Sequence, residues 1–277
     1  SINSVLDYVI FEYGDMAVAI PDPMVSIVET DVKISNSIFR KSFFSALALF
    51  DSNSEIENSV FEDNEGDALS IYYGKPKIKN CEFKRNQSGI SITGETEAEI
   101  TNNTFSENKE PVLMEINSLM TFSNNILNNN SLNGILISYP DKLKAGTTTL
   151  RAFNYPYVLE ESLVISDEAV LIIQPRVIIK ALGDFPLFKV WGNLIANGTE
   201  ESPIVFTSLK DDNYGGDTNN DKENSQSVIG DWQDIKILGK ANLKNLKLRY
   251  SKENPLILEP GSEVILENIF IEPRVLL

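Results

Sequence analysis

The chain has no histidine, one cysteine and two tryptophans among its 277 residues. Without histidine there is no Ser-His-Asp or Cys-His nucleophile, no imidazole acid-base chemistry and no His-ligated zinc. A lone Cys81 leaves no intrachain disulfide to hold the fold. Basic residues are a minority, 24 against 40 acidic, for a net charge of −16. Such a surface repels nucleic acid and anionic membrane and favours solubility or cation binding. No apolar run reaches the roughly 18 residues of a membrane-spanning helix.

What is present is a repeat. In register, I-S-N-S-I-F at 34, I-E-N-S-V-F at 56, I-K-N-C-E-F at 78, I-T-N-N-T-F at 100 and F-S-N-N-I-L at 122 follow one another at a step of 22 residues. Asn36, Asn58, Asn80, Asn102 and Asn124 form one column, and Phe39, Phe61, Phe83, Phe105 and Leu127 another. A second asparagine column runs through Asn64, Asn86, Asn108 and Asn130. Cys81 shares its column with Ser37, Ser59, Asn103 and Asn125, which marks it as a passive small residue.

A period of this length fits a leucine-rich repeat or a β-solenoid. The L-x-x-L-x-L-x-x-N pattern is absent, and each repeat instead holds short alternating apolar pieces separated by Asn, Gly and charged turns, which is strand chemistry. The expected fold is therefore all-β, a single-stranded right-handed parallel β-helix with 22-residue rungs in the N-terminal half. Rungs about 4.8 Å apart would stack the phenylalanines inside. Both asparagine columns would form turn ladders, bonding along the axis and tolerating left-handed backbone. Arg40, Glu62, Lys84 and Ser106, and beside them Lys41, Asp63, Arg85 and Glu107, alternate in sign between most neighbours, as expected for adjacent positions across a sheet or for a solvated face.

The expected organisation is one domain over residues 1–277: regular rungs at 34–145, wider rungs at 146–210, an inserted acidic loop at 211–231 and closing rungs at 232–277. Consecutive apolar residues such as 170–173 and 177–179 imply that both faces of some strands are covered, for instance by a loop packed on the outside. Leu6, Val9, Phe11 and Tyr13 align with Leu243, Leu246, Leu248 and Tyr250. The chain thus starts and stops inside the same kind of unit, the expectation for a piece of a larger surface protein.

The stretch V-I-I-K through F-K-V-W-G-N-L-I-A-N-G-T-E-E-S-P-I-V-F-T-S-L-K-D-D-N-Y-G-G-D and G-D-W-Q-D-I-K-I to L-K-N-L-K-L-R-Y resembles the repeat unit of large bacterial and archaeal cell-surface proteins with a pectate-lyase-like parallel β-helix, adhesins among them. The resemblance covers residues 157–250 and, more generally, the 22-residue rungs of the N-terminal half, and implies the same fold and an extracellular setting at a cell surface. It assigns no activity, because fold alone does not. Hydrolases of that fold use a Gly-His-Gly and an Arg-x-Lys, and this chain has neither. Its lyases use calcium on acidic rungs with an Arg or Lys base. Glu62, Asp63, Asp67 and Glu82 lie among Arg40, Lys84 and Arg85 here, but nothing singles out a catalytic pair.

Two stretches carry binding chemistry. Asp217, Asn219, Asp221 and Glu223 fall at alternate positions after Gly215-Gly216, the spacing by which a tight loop turns oxygen ligands toward one hard cation. This resembles a D-x-N-x-D calcium loop, although Lys222 stands where glycine is expected; a merely hydrophilic hairpin is the competing reading. Phe50 and Tyr72 occupy the same turn position one rung apart, with Tyr73 and Tyr139 one position further on. With Phe43 and Phe44, Phe153, Tyr155 and Tyr157, and Tyr214 on the acidic loop, they are candidates for an exposed strip of rings that stacks on sugar faces. Trp191 and Trp232 are assigned to turn packing. The expected function is a non-catalytic extracellular module that binds insoluble or cell-wall polysaccharide, such as cellulose, and mediates attachment. A structural surface-layer or stalk segment is the second expectation, and a polysaccharide lyase or glycoside hydrolase the third.

Overall fold

The computed structural model describes residues 4–14, 22–138 and 142–272; among these every regular element is a β-strand and there is no helix. None of them is therefore a helix able to cross a membrane. The chain divides into two compact units, residues 1–135 and 136–277, and each is a parallel β-solenoid.

In the first unit each rung contributes one short strand to each of three parallel sheets. One rung, for example, is Asp67–Tyr72, Lys77–Lys79 and Glu82–Lys84. Register follows the sequence step. Ile34, Ile56, Ile78, Ile100 and Phe122 pair in succession along one sheet, and Phe39, Phe61, Phe83, Phe105 and Leu127 along the next. The phenylalanines are fully buried. From Phe39 to Phe105 they stack with centroids 4.8–4.9 Å apart and planes within 8°. A one-residue slip would turn this whole column to solvent, so the column also locks the register.

The asparagine columns divide their labour, which corrects the expectation of two equivalent ladders. Asn36, Asn58, Asn80, Asn102 and Asn124 take φ between 50° and 59° and turn the corner. Asn64, Asn86, Asn108 and Asn130 lack that backbone; they are buried and form the ladder. Asn86 Nδ2 donates to Asn108 Oδ1 at 2.9 Å and to Phe61 O at 3.1 Å, and Asn108 Nδ2 repeats the pattern onto Asn130 Oδ1 and Phe83 O. A second ladder that composition alone hid runs through Cys81, Asn103 and Asn125, where Cys81 N donates to Asn103 Oδ1. The Cys81 thiol is pushed up to about 12 by burial, in keeping with an inert packing role. The alternating charges do pair: Arg85 with Asp63 at 2.6 Å, Lys84 with Glu62 at 3.3 Å and Arg40 with Glu62 at 3.8 Å.

The second unit also has three strands in its wider rungs, such as Leu163–Ile165, Ala169–Ile173 and Ile178–Ala181. In its last rungs two of these fuse into the ten-residue strands Lys240–Arg249 and Glu263–Glu272. They pass the corner at Asn245 and Asn268, with φ of 49° and 54°. Between Ile204–Ser208 and Ile235–Ile237 the acidic loop leaves the rung and folds back over the outer sheet face. This is why neighbouring residues there are buried on both faces: Lys180 and Thr207, which pair and point outward, are both fully covered.

Candidate functional site

Two places gather the chemistry-bearing residues, one in each unit. In the first, the turn residues Phe43 and Phe44 meet edge to face with centroids 5.0 Å apart. On the adjoining strands Phe50 and Tyr72 pair in register and stack at 4.7 Å with planes 5° apart. These four rings line one open groove with Pro23, Ser45, Gly66 and Asp67. The polar side is wired, since Ser45 and Ser70 share a hydrogen bond of 2.7 Å and Ser70 Oγ donates to Asp67 Oδ2 at 3.0 Å. Gly66 is required: a Cβ there would lie 2.5 Å from the Phe44 carbonyl carbon, so this close approach holds the Phe43–Phe44 turn against the next rung. Such a surface offers flat apolar faces beside fixed hydrogen-bonding groups.

The remaining rings named from the sequence do not join it. Tyr73 is 56% exposed but sits at a corner with φ 66°, packed against Gly94, and does not line the groove. Tyr157 is a correction: it is buried, 3% exposed, and its hydroxyl donates to Arg151 O, because the residue faces the core of its rung. Tyr155, partly buried, lies in the other unit, and Tyr139 lies outside the described residues. Trp232 does pack its turn, fully buried with Nε1 donating to Arg249 O at 2.7 Å, whereas Trp191 is 52% exposed. Phe43 and Phe44, also candidates from the sequence, complete the groove.

The second place is the acidic loop. Asp211 anchors it: its Oδ2 accepts from Thr207 Oγ1 at 2.6 Å and from Arg249 Nε at 2.8 Å, with no side-chain exposure. Burial pushes the Asp211 carboxyl up, but the hydrogen bonds from Thr207 and Arg249 outweigh it and hold it below the ordinary value. Lys180 Nζ reaches up to the carbonyls of Asp211 and Gly216, both at 3.0 Å. Burial pushes that ammonium down to about 8, against the attraction of Asp212, Asp211 and Asp217. Lys247 donates to the Tyr214 hydroxyl at 2.7 Å, and Arg249 lies over the same ring.

Beyond that anchor Gly215 and Gly216, at φ 78° and 71°, bend the loop so that Asp212, Asp217 and Asp221 converge, with one oxygen of each within 4.8 Å of the others. The Oδ1 atoms of Asp212, Asn219 and Asp221 are buried and lack a hydrogen-bond partner. The Asp212 carboxyl is pushed up by burial and then by Asp217 beside it. Asp217 and Asp221 thus come together as the spacing suggested, and Asn219 lies beside Asp221, to which its amide donates at 2.8 Å. Glu223 does not join the three, since left-handed backbone at Lys222 and Glu223 breaks the alternation. Asp212 takes part instead, brought in by the two glycines from a position no alternate spacing includes. Oxygen donors alone, several of them desolvated and unsatisfied, fit a hard divalent cation.

A family model described as the right-handed β-helix region matches residues 24–148, in agreement with the parallel solenoid over those residues. No curated protein and no solved structure matches the chain.

Proposed function

We propose that this protein binds polysaccharide on the groove of Phe43, Phe44, Phe50 and Tyr72 without cleaving it, as an extracellular module that mediates attachment at a cell surface. The observation that carries the reading is the stacked Phe50–Tyr72 pair next to the Ser45–Ser70–Asp67 hydrogen-bond chain in one open groove. Rings held by rung stacking lose little freedom when a sugar face settles on them. Glycoside hydrolysis needs two carboxyl groups about 5–9.5 Å apart, and the lining of this groove includes one, Asp67. The net charge of −16 favours a neutral glycan such as cellulose over a polyuronate.

The test is depletion of the protein from solution by crystalline cellulose, xylan, chitin and pectin, with the supernatant assayed for released sugar. Depletion by a neutral glycan without release is expected, and Phe50→Ala with Tyr72→Ala should weaken it about tenfold or more. Undiminished binding by that double variant rejects the groove. Absence of depletion on every glycan favours a structural stalk, and release of sugar an enzyme.

Calcium on the acidic loop belongs to the same proposal. Asp212, Asp217 and Asp221 would hold it with the Asn219 carbonyl, and it would neutralise their mutual repulsion and tie the loop to the sheet. Extracellular modules bind calcium at about 10⁻⁴–10⁻³ M. At a hundredfold excess over its dissociation constant the ion adds about 2.7 kcal/mol of stability. The melting temperature should therefore rise with calcium relative to EDTA in the native chain and stay put in Asp217→Asn/Asp221→Asn; equal shifts in both proteins reject the site.

A further inference from the structure

The second unit carries another surface with the same kind of chemistry, at Trp191. The indole is 52% exposed in an open groove lined by Lys142, Ala145, Val164, Ser166, Asp167 and Glu168. These come from successive rungs, since Lys142 pairs with Val164, and Ile165 with Val190 next to Trp191.

The backbone that carries the ring is tightly held. Trp191 N and Gly192 N both donate to Ile165 O, at 2.8 and 3.1 Å, and Lys240 N donates to Gly192 O at 2.8 Å. The turn is clamped between its neighbours: a Cβ on Gly192 would lie 2.2 Å from Ser166 O, and one on Gly239 would lie 1.9 Å from Trp191 O. Ser166 Oγ in turn donates to Leu143 O. The charged groups around the ring are uncommitted among the described residues. Several surface charges elsewhere pair from rung to rung. The side chains of Lys142, Asp167 and Glu168 have no ion-pair or hydrogen-bond partner among the described residues.

Resting on the saccharide reading above, we propose that Trp191, with Asp167, Glu168 and Lys142, forms a second saccharide subsite that seats one pyranose ring of a neutral glycan. The indole face takes the C–H face of the ring, and the two carboxylates and the ammonium take hydroxyls at its edge. Three charges around a single ring are the wrong composition for the centre of a protein interface, where charged residues are depleted. Two carboxylates against one lysine also exclude a uronate, which a local excess of negative charge would repel.

The chain's two tryptophans make the test direct, because Trp232 is fully buried and Trp191 is not. Acrylamide quenching of the whole protein is measured with cellohexaose, with an oligogalacturonate of equal length and with neither. Protection of the accessible tryptophan by cellohexaose alone is expected, preserved in Tyr72→Ala and absent in Trp191→Phe. Asp167→Asn with Glu168→Gln, both exposed and so without consequence for folding, should weaken it about tenfold. Depletion by insoluble glycan without any protection of Trp191 overturns this subsite and leaves the groove of the first unit standing. Protection without depletion supports the subsite and removes that groove. Neither signal overturns both, and protection by the oligogalacturonate, or its loss in Tyr72→Ala, overturns the assignment made here.

Discussion

Asn108 illustrates how much one side chain carries in this architecture. Its Oδ1 accepts from both the backbone and the side chain of Asn86, and its amide donates to Phe83 O and Asn130 Oδ1, all buried. Replacement by alanine orphans those partners, each at a cost of about 1–3 kcal/mol. Asn108→Ala should therefore lose about 3 kcal/mol or more in denaturant unfolding, while Asn58→Ala, at a corner, loses only what left-handed backbone costs alanine, roughly 1–2 kcal/mol; equal losses would contradict the division of labour. The opposite change is available at Glu107, a non-glycine residue at φ 57°. Glu107→Asn should add about 0.5–1 kcal/mol, since asparagine tolerates that conformation better. The columns were legible in the sequence because period carries them. Which column ladders and which turns the corner was not, since both show asparagine and only the backbone distinguishes them.

At the scale of the element, the acidic loop is a long insertion made part of the body by one buried carboxylate. Asp211→Asn should cost about 3 kcal/mol near neutral pH, as breaking a buried ion pair does. The sign with pH follows from its depressed value. A carboxyl lower in the folded than in the unfolded chain stabilises above the unfolded value of about 3.9, and that stability is lost as pH falls through the folded value. The difference in melting temperature between the native chain and Asp211→Asn should accordingly shrink below about pH 4; a constant difference down to pH 2 would show that the charge is not what holds the loop. Sequence spacing found Asp217 and Asp221 because they are close neighbours along the chain. It missed Asp212, which only a double-glycine bend brings back, and it kept Glu223, which left-handed residues carry out of the alternation.

Over the whole molecule the charges form two opposed systems. Rung-to-rung ion pairs such as Lys33–Glu57 and Lys240–Glu263 are largely solvent-exposed, and pairs of that kind contribute about 0–1 kcal/mol each. Against them stands the self-repulsion of a net charge of −16. Salt screens both. Because the repulsion acts among all the excess carboxylates while each pair is weak, the melting temperature in EDTA should hold or rise between low salt and 0.5 M NaCl. A fall of several degrees would mean that the ion-pair ladders dominate.

The fold class was determined by sequence alone, because a solenoid repeats one local pattern and stacking equal rungs is the only way each can bury its apolar side. The step of 22 residues, the phenylalanine stack and the sign alternation are all statements about sequence distance, which the solenoid turns directly into neighbours. The sites depend on what sequence distance does not encode. Phe43 and Phe44 reach Phe50 and Tyr72 across a turn, Asp212 reaches Asp221 through a bend, Tyr157 falls inward at the start of a strand and Trp191 outward just past the end of one. Each of these was decided by where the backbone turns and what packs over it, and those are properties of the assembled rungs.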